Sequence, residues 1–385
     1  MTSPAPEELI AFRRMLHAHP ELSREEHQTT LAVSQRLEVA GLAPKVLPAG
    51  TGLICDIGDA GAGPTVALRA DIDALAIDDV KDVPYRSQVQ GVCHACGHDV
   101  HTTVLLGTAL ELAQRQLPGR VRLLFQPAEE TVPGGALDVI AAGGLDDVAA
   151  VYGLHCDPSL EVGRVGTRVG AITSAADLLT ITLVGPGGHT ARPHLTADLV
   201  HLAGRVATEL PSALGRLLDV RGGLNLVFGS VHGGEAANVI PTSVVLRGTA
   251  RALQREAWDA APDLIRRLLD GIVGPMRAEY HLDYDRGAPP IINDRHCTTM
   301  LDLAATTALG PDSVTETAQS MGGEDFSWYL EHRPGSFARL GVKPAGSERP
   351  AADLHSGAFD VDESAIDVGV KLLTQLALDS LTAAR

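Results

Sequence analysis

Val66-Ala67-Leu68-Arg69-Ala70 is a short apolar run that ends on Asp71. Two further runs repeat the pattern. Val121 to Phe125 closes near Pro127, Glu129 and Glu130, and Val148 to Leu154 closes on His155. A helical pattern, about His98 to Gln116, lies between the first two. Short apolar strands separated by helices predict a mostly parallel sheet with helices on its faces. Such sheets bind ligands outside the carboxyl ends of their strands. Asp71, the Glu129–Glu130 pair and His155 fall at three strand ends, so metal-capable side chains are expected along one edge.

Outward from this core, Glu7 to His19 and Arg24 to Ala40 read as helices, and Gly41 is a C-terminal stop. Arg295 to Leu309 reads as a helix, Phe337 to Leu340 as a strand, and Ala365 to Leu381 as a closing helix. His355 sits in a loop just before that helix. The middle of the chain changes character. Asp177 to Val184 alternates like a half-buried strand. Strands at Leu224 to Val231, Ser243 to Arg251 and Glu279 to Asp285 follow, with helices at Ala197 to Leu218 and Gln254 to Leu269. The order β-α-β-β-α-β is the split βαβ, ferredoxin-like pattern. The expected architecture is an α/β catalytic domain over 1–174 and 287–385, interrupted by an α+β ferredoxin-like lid or dimerisation domain over 175–286. A chain of 385 residues accommodates two domains of about 100–200 residues each.

Composition narrows the function classes. Aromatics are only 3% of the chain, which disfavours the base-stacking surfaces of single-strand nucleic-acid proteins. The formal charge of −17 repels phosphate backbones and anionic lipid heads. Met1 to Arg14 has no apolar leader core, and no run approaches the roughly 18–20 apolar residues of a membrane span. Five cysteines, an odd number, do not form a disulfide framework. These features predict a cytoplasmic protein with a small-molecule partner, no nucleic acid and no membrane.

The densest chemical constellation is His94-Ala95-Cys96-Gly97-His98-Asp99-Val100-His101. Thiolate and imidazole ligands suit zinc and similar divalent metals, and Gly97 lets the chain bend so that Cys96 and His98 face one point. The ordinary alternative is a buried apolar cysteine beside capped histidines. Cys93 and Cys96 also make a C-x-x-C pair, a redox motif in other settings, but the neighbouring histidines favour metal. Adjacent carboxylates such as Glu129 and Glu130 can part, one binding metal and the other serving as general base. A solvated acidic turn is the competing reading for that pair. His155 and His355 stand isolated at loop-like positions. His17, His27, His201, His232, His281 and His296 lack sequence partners and read as structural.

Taken in order, these stretches resemble the metal-dependent N-acyl amino acid amidohydrolases. That family includes hippurate hydrolases, plant auxin-conjugate hydrolases and relatives of aminoacylases and carboxypeptidases. The resemblance runs nearly end to end. It covers His17-Ala18-His19-Pro20-Glu21-Leu22-Ser23, Leu68 to Leu75, the Cys96–His98 stretch, Gln126 to Glu130 and Gly153-Leu154-His155. It continues through Gly187-Gly188-His189, Pro193-His194, Ala237 to Pro241, Gly323 to Phe326 and Leu354-His355-Ser356. Departures occur at Ala76, Cys93 and Gly322, none of them at a ligand or base position.

The resemblance implies two divalent ions per subunit (zinc, manganese, cobalt or nickel) held by Cys96, His98, Glu130, His155 and His355. Either Cys96 or a solvent oxygen would bridge them. It implies Glu129 as general base acting on a metal-activated water, and Asp73 as a carboxylate supporting the ligands from behind. His189 would donate to the oxyanion, reaching the site from the partner subunit of a homodimer or larger homo-oligomer built on the inserted domain. Asn238 would contact substrate. The implied reaction is hydrolysis of N-acyl amino acids to acyl group and free amino acid. A metallo-exopeptidase or dipeptidase uses the same scaffold, a non-catalytic binding protein would have lost the base or ligands, and a thiol-redox enzyme would use Cys93 and Cys96. Arg251 and Arg192 are candidates for holding a substrate carboxylate.

Overall fold

The computed structural model describes residues 4–347 and 352–383. Met1–Ser3, part of the stretch read for an apolar leader, lie outside the described residues. The chain divides into two compact units, one comprising Met1–Gly170, Ile292–Ala318 and Asp325–Arg385, the other Ala171–Ile291 and Gln319–Glu324.

The first unit is built on an eight-stranded sheet. Its order is Lys45–Val46, Leu53–Gly58, Arg120–Gln126, Thr65–Asp71, Val148–Glu161, Gly335–Lys343, Val165–Thr167 and Val314–Glu316. The four central strands are parallel. Every residue of Thr65–Asp71 is buried, as expected for a parallel strand covered on both faces. The helix His98–Leu112 is buried almost throughout, its polar residues included, which makes it a core helix rather than a surface one. It lies tightly against the closing helix Ala365–Ala383. A Cβ on Gly107 would come within 2.6 Å of Val370, and one on Gly369 within 2.7 Å of Val104. Glycine on both helices therefore permits their close approach.

Two features differ from the sequence reading. The strand that was to end on His155 runs on to Glu161, because its neighbour Gly335–Lys343 keeps pairing with it, Arg339 opposite His155 and Lys343 opposite Glu161. The continuation carries a register shift between Gly341 and Lys343, opposite Asp157 and Glu161. His155 is therefore a mid-strand residue. The sequence reading also leaves Leu53–Gly58 unassigned, although Leu53, Cys55 and Ile57 are its buried positions and the strand pairs antiparallel with Arg120–Gln126.

The second unit contains a four-stranded antiparallel sheet, ordered Asn225–His232, Ser243–Ala252, Ala175–Val184 and Glu279–Asp285. With the helices Leu199–Leu217 and Arg255–Val273, the chain order is β-α-β-β-α-β. Leu179, Ile181 and Leu183 from the sheet join Leu202, Val206, Leu210, Ile265 and Leu269 from the helices in one core. The segment Gln319–Glu324 belongs to this unit as well. Both Ser174 Oγ and Arg251 Nη1 donate to the Met321 carbonyl, at 2.8 and 2.7 Å. Arg251, a candidate for a substrate carboxylate, is thus engaged with backbone. No helix among the described residues is long and apolar enough to cross a membrane.

Candidate metal centre

The carboxyl end of the parallel strands carries the site. Asp73 follows the Thr65–Asp71 strand. Its Oδ1 lies 3.2 Å from His98 Nδ1, and its Oδ2 accepts from Ser23 Oγ at 2.6 Å and from the Glu130 N–H at 3.0 Å. One carboxylate thus fixes a histidine ring and the start of the acidic turn. The His98 ring is left with Nε2 buried and unpartnered, 3.8 Å from Glu130 Oε1.

Gly97 makes the pairing of Cys96 and His98 possible. It is the N-cap of the His98–Leu112 helix at φ +86°, a conformation that favours glycine. A Cβ there would lie 2.9 Å from Cys156 Sγ. Gly97→Ala is expected to cost about 1–3 kcal/mol through left-handed strain and overpacking. Urea unfolding together with a zinc-binding titration checks this, and zinc affinity should fall as well.

The other groups converge on the same point. His155 Nδ1 donates to the Cys156 carbonyl at 2.8 Å, which leaves Nε2 facing Cys96 Sγ at 3.3 Å. His355 approaches from its loop with Nε2 3.3 Å from Glu130 Oε1. Its own φ is +60°, and its N–H donates to the Ala95 carbonyl. Donor atoms of Cys96, His98 and His155 lie within 4.8 Å of one another, as do those of Cys96, Glu130 and His355. Cys96 belongs to both triads. Glu129 has a carboxylate oxygen within the same distance of the donor atoms of His98 and Glu130.

The electrostatics favour a cation. Burial opposes a charged His98, yet Asp71, Asp73 and Glu130 push its pKa up to about 10. The hydrogen bond and charge of Glu130 likewise raise His355. The carboxylates thus favour positive charge at His98 and His355, and a divalent ion would answer the same negative field. Burial, with His101 and Arg339 nearby, holds His155 well below the usual histidine range, so its lone pair stays free. The buried His98 Nε2, which has no hydrogen-bond partner, and a mixed sulfur, nitrogen and carboxylate donor set fit a divalent transition metal.

Comparison with known proteins agrees with this geometry. The model for the Peptidase family M20/M25/M40 matches residues 67–379, which spans every strand end and loop just described. The chain belongs to this family. A Bacillus subtilis N-acetylcysteine deacetylase is 38% identical over 375 residues, covering 96% of each chain. A solved Bacillus subtilis structure, described as a dinuclear metal-binding peptidase from the M20 family, superposes with a TM-score of 0.85 at 36% identity and covers 98% of both chains. A Rhodococcus jostii protein named putative glutamate–cysteine ligase 2-3 is 49% identical over 368 residues, and the chain spans only 46% of its length.

Within this M20-type site, some side chains take other places than the sequence reading gave them. Asp71, grouped there with the metal-capable strand ends, turns to Arg69 Nη1 at 2.6 Å and to His101 Nδ1 at 2.6 Å. Burial works against its ionisation, but His98, His101 and Arg69 hold its carboxyl well below the usual range. His17, read as structural, is buried with Nδ1 2.7 Å from Asp99 and Nε2 3.2 Å from Asp79. Cys93 is buried, and burial pushes its thiol up to about 11, the opposite of an activated redox cysteine. Arg69 and His101 were given no role. The available signals were a lone arginine in a buried apolar strand and the i, i+3 spacing of His98 and His101, which places both on one helix face.

His189 and Asn238 lie in the second unit. His189 is exposed and pairs across a two-residue ladder with Val239, next to Asn238, whose carbonyl accepts from the Thr190 N–H at 3.2 Å. The fold of this unit therefore makes them neighbours.

Proposed function

We propose that this M20-family chain hydrolyses the amide bond of N-acyl amino acids, releasing the acyl group and the free amino acid. The observation that carries the reading is the double membership of Cys96, shared by a triad with His98 and His155 and a triad with Glu130 and His355, with Glu129 beside both His98 and Glu130. Two donor sets joined at one sulfur suit a pair of ions, and the related Bacillus subtilis structure is described as dinuclear. Bound zinc, manganese, cobalt or nickel ions would supply Lewis acidity toward water and the scissile carbonyl.

The protein's own residues do the rest. Glu129 takes a proton from the attacking water and returns it to the leaving amine nitrogen, so one carboxylate serves both half-steps. Asp73 holds His98 and the Glu130 backbone in place. His189 donates a hydrogen bond to the oxyanion, a contribution of roughly 3–4 kcal/mol for donors of this kind, and Asn238 contacts substrate. The 175–286 segment acts as lid and dimer contact, with His189 supplied by the partner subunit. Five free, buried cysteines accord with a reducing, cytoplasmic location.

The family description favours a second reading, a dipeptidase on the same centre, and a substrate panel separates the two. Amine release is measured from N-acetylcysteine, other N-acetyl amino acids, N-benzoyl and indole-acetyl amino acids, and dipeptides. Cleavage of N-acyl amino acids above dipeptides supports the proposal. Cleavage of dipeptides alone replaces it with the exopeptidase reading.

A further inference from the structure

His101 lies beside the metal centre, and Asp71, His98 and His101 could by proximity hold an ion. The hydrogen bonds exclude His101 from that duty. Its Nδ1 is 2.6 Å from Asp71 Oδ1, and its Nε2 accepts the Cys156 N–H at 2.8 Å. Accepting through Nε2 requires a proton on Nδ1, and the Asp71 carboxylate is there to receive it. Both ring nitrogens are committed, so no lone pair remains for a metal.

The position explains why the Cys156 N–H needs a partner. The Val148–Glu161 strand is paired with Thr65–Asp71 only as far as Gly153 opposite Arg69. Beyond that point it has lost its neighbour on one side, while Gly335–Lys343 continues along the other. The Cys156 N–H is thus a buried donor that His101 satisfies. The carbonyl of the same residue accepts from His155 Nδ1 at 2.8 Å and sets that ring with Nε2 toward Cys96. Behind His101, Asp71 Oδ2 accepts from Arg69 Nη1 at 2.6 Å. Arg69, Asp71 and His101 are all buried.

We propose that Arg69, Asp71 and His101 are positioning residues that fix the Cys156 backbone and thereby aim the His155 ring into the metal centre. The inference rests on reading Cys96 and His155 as ligands. Outer partners that orient ligating histidines typically change metal affinity by about 10–100-fold when removed. Asp71 cannot be replaced by its amide without conflict, because Arg69 and the Nδ1–H of His101 both require an acceptor. An NH2 group set against either one breaks the chain of donors, and inverting the His101 tautomer points an N–H at the Cys156 N–H.

The test compares wild type with His101→Leu, His101→Gln and Asp71→Asn, all stripped with chelator. Zinc affinity is measured by competition with a chromophoric chelator, cobalt spectra are recorded, and the melting temperature of the metal-free forms is taken. Glutamine can present an oxygen to the Cys156 N–H and an amide N–H to Asp71. The expected result is a 10–100-fold loss of zinc affinity in His101→Leu and Asp71→Asn, and recovery of most of it in His101→Gln. The cobalt–thiolate band of Cys96 should persist while the ligand-field bands shift. A purely structural cap would lower the melting temperature of His101→Leu and leave zinc affinity and the cobalt spectrum of the folded fraction unchanged, and that outcome overturns the proposal. If Asp71→Asn alone folds, the same readouts on it decide. Absence of zinc binding by wild type overturns the metal-centre reading itself, whereas wild-type binding with unaltered variants overturns only the positioning role.

Discussion

Glu129→Gln is expected to lower kcat by about 10²–10⁴-fold, the usual contribution of a positioned general base, with zinc affinity close to that of wild type. The amide matches the carboxylate in shape but cannot take a proton at neutral pH. Glu130 supplies the carboxylate of the Cys96–Glu130–His355 triad, whereas Glu129 stands next to it with an oxygen within 4.8 Å of the His98 and Glu130 donor atoms. Loss of a proton carrier should therefore appear in kcat and spare the ions. Steady-state kinetics beside a zinc-binding titration check both halves. Equal loss of zinc affinity in Glu129→Gln would make Glu129 a ligand, and unchanged kcat would remove it from the reaction.

The second large effect is expected at Cys96. Cys96→Ala removes the one donor common to both triads, so it should weaken both sites at once. Activity should fall by more than the roughly 10–100-fold typical of losing an outer hydrogen-bonding partner. Stability gives an independent readout. A ligand present at about 100 times its Kd stabilises the folded state by about 2.7 kcal/mol. Zinc at that excess should raise the melting temperature of the wild type and leave Cys96→Ala nearly unmoved. His98→Ala, which touches only one of the two Cys96 triads, should retain part of the zinc effect. Full zinc stabilisation in Cys96→Ala would show that the sulfur is a packed core atom.

Much of this centre is legible because its residue types announce themselves. Apolar runs ending in Asp71, in Glu129-Glu130 and near His155 locate the edge of the sheet, and Cys96-Gly97-His98 supplies an unusual donor pair with a glycine where the backbone turns left-handed. The errors share one physical origin, since each depends on a neighbour that local pattern does not reveal. The strand through His155 continues to Glu161 because Gly335–Lys343, almost two hundred residues away, goes on pairing with it. Asp71 has the right type and place for a ligand, but Arg69 and His101 turn it inward. His17 rightly reads as structural, but its partners Asp79 and Asp99 come from distant segments and could not be named from the sequence. Gln319–Glu324 groups with the second unit, where the Met321 carbonyl accepts from the Ser174 and Arg251 side chains, and a backbone acceptor leaves no mark in the sequence.

The most direct test of the central claim is a zinc titration of chelator-stripped protein, followed by amine release from N-acetylcysteine or the best substrate of the panel. The donor sets joined at Cys96 predict no release before zinc is added, and a rise that saturates at two equivalents per chain. Full activity in stripped protein, or saturation with zinc bound and no amine released from any N-acyl amino acid, would contradict it.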